Sequence, residues 1–382
     1  MQTTPKQRDT PRQRIRDAMD LKSPVRVPLM CQLSIGHMLL QLDVSPLEFW
    51  HDAMVFADGL LRLREIYDFD GVLVSLHGHD PDWRNKILSR SVSAGVEEIV
   101  WQDGQRYRYL PDDLPQPMNS ESRHPLLSEF AGEQLPESLG YIPVSQGLRF
   151  EIDPVHRFDV FRQIRSRIGS SYSIHGEITS PLDYFLDRFG YQEGLMGLLG
   201  EPDKCRSVLA HFTSLVKQLV LEMCDEGVDA IKVSSPFAGA GFLSTQAYRE
   251  FVLPYESEIA QAVRARGVHI YTHTCGAVSD RLELMFDAGV SGIECLDPPP
   301  LGDVELVDAK RRTKGRGFIK GNIDSVNTLL HGEPAQILAD ARRRLEVGRE
   351  GGGFILSTAC SVAPRVDRSK LKLLREAVDA WG

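Results

Sequence analysis

The chain has 382 residues, a formal net charge of -9, 42% apolar and 25% charged residues. That length suits one large α/β barrel with elaborations, or two ordinary domains, and the acidic balance argues against a general nucleic-acid binder, which carries a basic face. No apolar run approaches the roughly 18–20 residues of a membrane span, and the polar start MQTTPKQRDTPRQRIRDAMDLK lacks a signal-peptide core, so the expected compartment is the cytoplasm.

Residues 1–25 read as an N-terminal helical extension. The segments 27-VPLMCQ-32 and 70-DGVLVSL-76 read as strands, with a helix near 46–67 between them. In 97-EEIVWQDGQRYRYL-110, apolar residues alternate around Asp103-Gly104, which predicts a β-hairpin inserted over about 92–112. Region 111–150, rich in Pro and Ser, reads as loop and short helix. Six further strands follow: 172-YSIHGEI-178, 229-DAIKVSS-235, 268-VHIYTH-273, 291-SGIECLD-297, 317-GFIKGN-322 and 353-GFILST-358. They alternate with helices near 202–226, 244–266, 278–289, 303–313, 334–349 and 367–380, whose apolar residues recur at spacings of three and four. Ser244 and Asp367 stand where helix caps belong. Eight strands alternating with helices predict an α/β fold of the (β/α)8 TIM-barrel class, one domain over 1–382.

Six cysteines (31, 205, 224, 275, 295, 360) are too scattered for a disulfide framework, and a Cys beside a His in a reducing compartment reads as a metal ligand or reactive thiol. In 269-HIYTHTCGAV-278, His273 and Cys275 lie two apart and so share one strand face. They end the fifth barrel strand, on the side where barrel chemistry sits. Imidazole plus thiolate is a common zinc set, and 353-GFILSTAC-360 brings Cys360 to the same end. The fourth position is either open to substrate or filled by a carboxylate, for which Glu294, closing the sixth strand, is the candidate. The competing reading of His-x-Cys alone is a buried His beside a core thiol; three converging ligands favour metal. Cys31 and Cys295 also lie near strand ends, Cys295 as a rival ligand, while Cys205 and Cys224 on a predicted helix read as core.

Other positions have two readings each. Glu177, in 176-GEIT-179, is a metal ligand or general acid/base, or else a loop anchor. His175 reads as a core histidine. In 77-HGHDPDW-83, His77 and His79 offer a second metal site or a loop packed over the barrel mouth. In 321-GNIDS-325, Asn322 is a candidate cofactor contact; Asp324 is a catalytic or orienting carboxylate, or a helix cap. The glycines of 238-AGAG-241 and 352-GGF-354 lack phosphate-loop spacing, and 342-RRR-344 reads as a solvated helix face.

The order 244-STQAYREFVLPYESEI-259, HTCG, 321-GNIDS-325, 357-STACSVAP-364, with Arg14 to Met19 running into 25-VRVP-28, resembles the uroporphyrinogen decarboxylase superfamily over nearly the whole chain. His-x-Cys with a distant Cys is similar to its zinc-dependent methyltransferases that work with methylcobamide proteins. The more distant cobalamin-independent methionine synthases place a Glu at a similar distance after the first Cys, which supports Glu294. The resemblance implies Zn2+, a corrinoid brought by a partner protein, a small thiol acceptor or methoxy-type donor, and a homodimer. Such a site suits thiol activation, because a free thiol of pKa about 8.5 is mostly protonated at neutral pH.

Departures qualify this. True decarboxylases carry an M-R-Q-A-G-R run, where this chain has 30-MCQLSIG-36 without either arginine. Family members with G-P-x-T contrast with 176-GEIT-179, and an Asp common near 234-SSPFAGAG-241 is replaced by Ser234 or Ser235. Two alternatives stand beside the methyltransferase: a metal-free decarboxylase-like lyase, and a tetrapyrrole- or corrinoid-binding scaffold with structural zinc.

Overall fold

A computed structural model describes residues 9–118, 124–130 and 135–382, without the side chain of residue 146. Barrel strand β1 (Gly71–Val74) is followed by an inserted sheet of β2 (Ile87–Ser93), β3 (Val96–Trp101), β4 (Arg106–Tyr109) and β5 (Gln116–Pro117). A short ribbon of β6 (Tyr141–Pro143) and β7 (Arg149–Glu151) comes next. The barrel then resumes with β8 (Ser173–Thr179), β9 (Ala230–Ser234), β10 (His269–Thr274), β11 (Gly292–Cys295), β12 (Phe318–Ile323) and β13 (Phe354–Thr358). Seven strands run parallel in the order β1-β8-β9-β10-β11-β12-β13, as the TIM-barrel expectation requires.

The eighth position is taken by the segment predicted as strand 27–32. It makes only single bridges, Leu29 to Leu356 and Leu33 to Val362. Still, it bonds to both edges: Met30 N donates to Leu356 O at 3.0 Å, and Asp70 N donates to Leu29 O at 2.9 Å. The missing ladder has a local cause. Pro28 has no N–H to give, and the Leu29 N–H is taken by Asp70 Oδ2 at 2.8 Å.

Two predicted helices are broken. Residues 46–67 form Pro46–His51 and Ala53–Tyr67, because Asp52 caps the second piece through Met54 N and Val55 N. Residues 244–266 form Thr245–Phe251 and Leu253–Ala265, the break falling at Val252, just ahead of Pro254, which cannot donate. Ser244 and Asp367 both cap their helices. No helix among the described residues is long and apolar enough to cross a membrane.

The inserted element is larger than a hairpin. The predicted pair is β3–β4, turning at Gly104 with φ +88°, but β2 and β5 extend it to four antiparallel strands. Nearly every residue of β2 is exposed, so it has no apolar face and leaves no period-two signal. The β6–β7 ribbon likewise corrects the reading of 111–150 as loop and helix; residues 119–123 and 131–134 lie outside the described residues. Ile99, Tyr109 and Ile142 of the inserted elements belong to the same buried apolar cluster as the helix layer.

Inside the barrel, a second apolar cluster joins Met30, Ala230, Tyr271, Phe318 and Ile355 to Ile15, Ala18 and Met19 of helix Pro11–Met19. This N-terminal helix plugs the strand starts. Arg14 reaches Asp70 at 2.7 Å and Arg12 reaches Asp229 at 2.8 Å, two carboxylates that precede β1 and β9. Arg375 also donates to Asp70. Such partly buried pairs cost most when one partner is removed. The bottom is closed, and access is left to the C-terminal mouth.

Outside the lumen, Glu256 is buried in the first turn of helix Leu253–Ala265. Burial outweighs the hydroxyls of Ser235 and Thr272 and raises its carboxyl from the ordinary 4.5 to about 7. The folded protein therefore holds this proton more tightly than the unfolded chain. The stabilisation is complete below about pH 4.5 and fades as pH rises to about 7, a loss on the order of 3 kcal/mol. Glu256→Gln is expected to flatten that slope and to be the more stable protein at pH 8, measured by urea unfolding across pH 5–8.

Candidate metal centre

Two short segments at the C-terminal mouth bring three ligand atoms together. His273 ends the inward face of β10, and Gly276, with φ +76°, turns the chain immediately after Cys275. Gly239 lets the neighbouring loop approach: a Cβ there would stand 2.6 Å from Cys275 O. Beyond β13, Ala359 N bonds to Ile323 O at 2.7 Å and aims Cys360 at the same point. His273 Nε2 lies 3.4 Å from Cys275 Sγ, and Cys275 Sγ lies 3.7 Å from Cys360 Sγ.

Those separations can be tested against zinc. Tetrahedral bonds of about 2.3 Å to sulfur and 2.0–2.1 Å to nitrogen require S···S near 3.8 Å and S···N near 3.6 Å. The two edges at Cys275 fit within a few tenths of an ångström, and all three ligand atoms lie within 4.8 Å of one another. Among the described residues this is the only such group of three or more. Both thiols are free and only half-buried, whereas His273 is buried. Hydrogen bonding to Cys275, Cys295 and His273 overcomes burial and holds the Cys360 thiol well below its ordinary pKa.

Glu294 stands apart from this triangle. Its Oε2 accepts from His273 Nδ1 at 2.9 Å, on the ring nitrogen opposite the thiols. Its other oxygen is held by Lys320, and Lys232 Nζ lies 3.4 Å from Oε2. Burial would raise this carboxyl, but Lys320, Lys232 and His273 keep it well below the usual carboxylate range. Lys232 also holds Glu177 Oε1 at 3.1 Å and Gln32 Oε1. Burial would lower its pKa, yet Glu177 and Glu294 raise it. Sequence reasoning singled out neither lysine. The signal was available: 229-DAIKVSS-235 and 317-GFIKGN-322 each place a lysine inside an otherwise apolar strand.

Asp297 was missed as well. Its Oδ2 accepts from Gly276 N at 2.7 Å and from Cys295 Sγ at 3.3 Å, tying the turn after Cys275 to the end of β11. Cys295 and Leu296 there take φ of +83° and +58°, a left-handed conformation that costs non-glycine residues energy and clusters at functional sites.

Asn322 and Asp324 have other tasks. Asn322 is fully buried, its amide donating to Leu296 O at 2.8 Å and its oxygen accepting from Arg344; it braces the strained turn and has no exposed face for a cofactor. Asp324 caps Ser325–Leu330, with Oδ1 accepting from Val326 N and Asn327 N and Oδ2 from Asn327 Nδ2. This is a helix-capping arrangement. Arg344 also corrects the solvated reading of 342-RRR-344: Arg342 and Arg343 are exposed, but three consecutive helical residues cannot share a face, and Arg344 is buried.

His175 is a core histidine, bonded to Tyr271 Oη and Ser173 Oγ and pushed down to about 3 by burial. His77 packs between Phe158 and Phe161, and His79 between Phe56 and Phe150. Among the described residues they join no metal-like cluster. Cys205 and Cys224 are buried on helix Pro202–Asp225.

Comparison with known proteins agrees with this architecture. A methyltransferase from Methanosarcina mazei superposes with a TM-score of 0.71 over 97% of this chain and 98% of its own, at 19% identity, a likeness of fold. The uroporphyrinogen decarboxylase of Chlorobium limicola is 29% identical over 186 residues, 47% of this chain and 49% of that protein. The methylcobamide:CoM methyltransferase of Methanosarcina barkeri is 25% identical over 223 residues, 58% of this chain and 62% of that one. The chain thus spans about half to three fifths of the curated relatives it matches. The model of the family described as uroporphyrinogen decarboxylase (URO-D) matches residues 152–381, more than half of the chain, and the chain belongs to that family.

Proposed function

We propose that this chain is a zinc-dependent methyltransferase, exchanging a methyl group between a corrinoid carried by a partner protein and a small thiol acceptor or methylated donor. The observation that carries the reading is the His273–Cys275–Cys360 triangle, whose two edges at Cys275 match zinc coordination at the barrel end where chemistry belongs. Its likeness to a methylcobamide-dependent relative adds support.

Zinc bound there would supply Lewis acidity, holding a thiol as thiolate at neutral pH or easing departure of a methyl group. The chain's own residues do the rest. Glu294 accepts the Nδ1 proton of His273 and so presents the Nε2 lone pair to the metal, the orienting role that carboxylates commonly play behind ligating histidines. We therefore assign Glu294 to positioning and leave the fourth coordination place to substrate. Cys275 and Cys360, half-buried, leave that side open to the mouth. The decarboxylase reading gains nothing here: the segment that would carry its arginines supplies Met30 to the lumen core and Gln32 to Lys232.

The test is thiol-dependent demethylation of methylcobalamin by zinc-loaded protein, followed spectroscopically. Turnover above the protein-free rate is expected, and the reverse reaction with cobalt(I) corrinoid and methyl thioethers or ethers covers the other direction. No transfer in either direction would overturn the proposal.

A further inference from the structure

The lumen beside the metal triangle is lined by charges that select what can enter. Lys232 and Lys320 are the only lysines or arginines on the seven barrel strands. Both side chains are 0% exposed, and both are held by carboxylates. Lys232 faces three acceptors, Glu177 Oε1, Glu294 Oε2 and Gln32 Oε1, matching the three donors of an ammonium. Lys320 is paired with Glu294. Lys232 is thereby saturated, and Lys320 is buried against the Glu294 carboxylate, away from the solvent side of the network.

The carboxylates are in the opposite condition. Glu177 keeps one oxygen, Oε2, buried and without a hydrogen-bond partner, and Asp297 keeps Oδ1 likewise. Buried polar atoms are rarely left unpaired, and exceptions call for a ligand, water or ion. Of the four charged residues Glu177, Lys232, Glu294 and Lys320, Glu177 alone reaches solvent, its side chain 12% exposed against 0–1% for the others. A molecule entering the mouth toward Cys275 and Cys360 therefore meets Glu177 first among these four, and a turn of that side chain is what would present its buried, unpartnered Oε2.

Resting on the zinc reading above, we infer that Glu177, with Asp297, forms a substrate subsite for a hydrogen-bond-donating, cationic group, and that the thiol or methyl compound used here carries an amine and not a sulfonate or carboxylate. The relative acting on CoM would then differ from this chain in its small substrate. An anion placed there would have to compete with Glu177 for Lys232, whereas an ammonium forms a charge-assisted hydrogen bond to the unpartnered oxygen.

The experiment loads the protein with Co(II) and titrates short thiols, reading the thiolate-to-cobalt charge-transfer band. The probes are 2-aminoethanethiol and 3-aminopropanethiol against 2-mercaptoethanesulfonate and 3-mercaptopropionate. Aminothiols are expected to bind at least about tenfold more tightly, a preference that Glu177→Gln abolishes while the cobalt spectrum of the free site stays unchanged. Equal or tighter binding of the anionic thiols, or a preference untouched by Glu177→Gln, overturns the inference but leaves the metal site standing. Failure of any thiol to alter the band sinks the zinc-thiol reading, and this inference with it.

Discussion

Cys275→Ser is expected to empty the metal centre while leaving the fold intact. Elemental analysis should give about one zinc per wild-type chain, as one site of three protein ligands binds, and less than about a tenth of that in the variant purified identically. A serine hydroxyl is not ionised at neutral pH, so it cannot replace a thiolate. The loss should exceed the roughly 10–100-fold effects seen when only an outer-sphere partner is removed. The fold should survive because Cys275 is half-buried, follows the end of β10 and belongs to neither apolar cluster. Substitutions at such positions usually shift stability by less than about 0.5 kcal/mol. Circular dichroism and unfolding temperature separate this from the structural-zinc reading, under which stripping the metal unfolds the chain. A serine variant that keeps its full zinc would show that the triangle is not the site.

The barrel was legible in the sequence because its strands are short apolar runs separated by periodic helices, and these survive without tertiary information. The convergence of the three candidate ligands was legible for a related reason. Strand period two puts His273 and Cys275 on one face, and the common polarity of parallel strands puts Cys360 at the same mouth. What stayed hidden depends on contacts across the sheet. Glu294 could be placed at the mouth, but which nitrogen of His273 it would face follows from Lys320 and Lys232 pulling it back. Asn322 and Asp324 carry side chains that suit catalysis and capping equally, and the partners that decide, Leu296, Arg344 and Asn327, are set by the strained end of β11 and the helix that follows. β2 was silent because a nearly fully exposed strand has no apolar period.

The buried charge network yields the second large effect. Lys320 and Glu294 have side chains 0% and 1% exposed, so removing one partner strands the other in a medium that disfavours lone charges. Lys320→Met should destabilise the protein by about 3 kcal/mol, the lower end of the range for broken buried pairs, because Lys232 remains beside Glu294 at 3.4 Å. Adding Glu294→Gln to that variant removes the stranded charge and leaves Lys232 balanced by Glu177. Urea unfolding should therefore show much of the stability restored in the double variant. Zinc affinity should move the other way: Glu294→Gln takes from His273 the carboxylate that holds its ring and is expected to weaken binding roughly 10–100-fold, read by competition with a chromophoric chelator. Recovery of stability without recovery of affinity would separate the two roles of this carboxylate. Wild-type affinity in Glu294→Gln would mean that the ring is held by packing alone, and that Glu294 does not position the metal ligand.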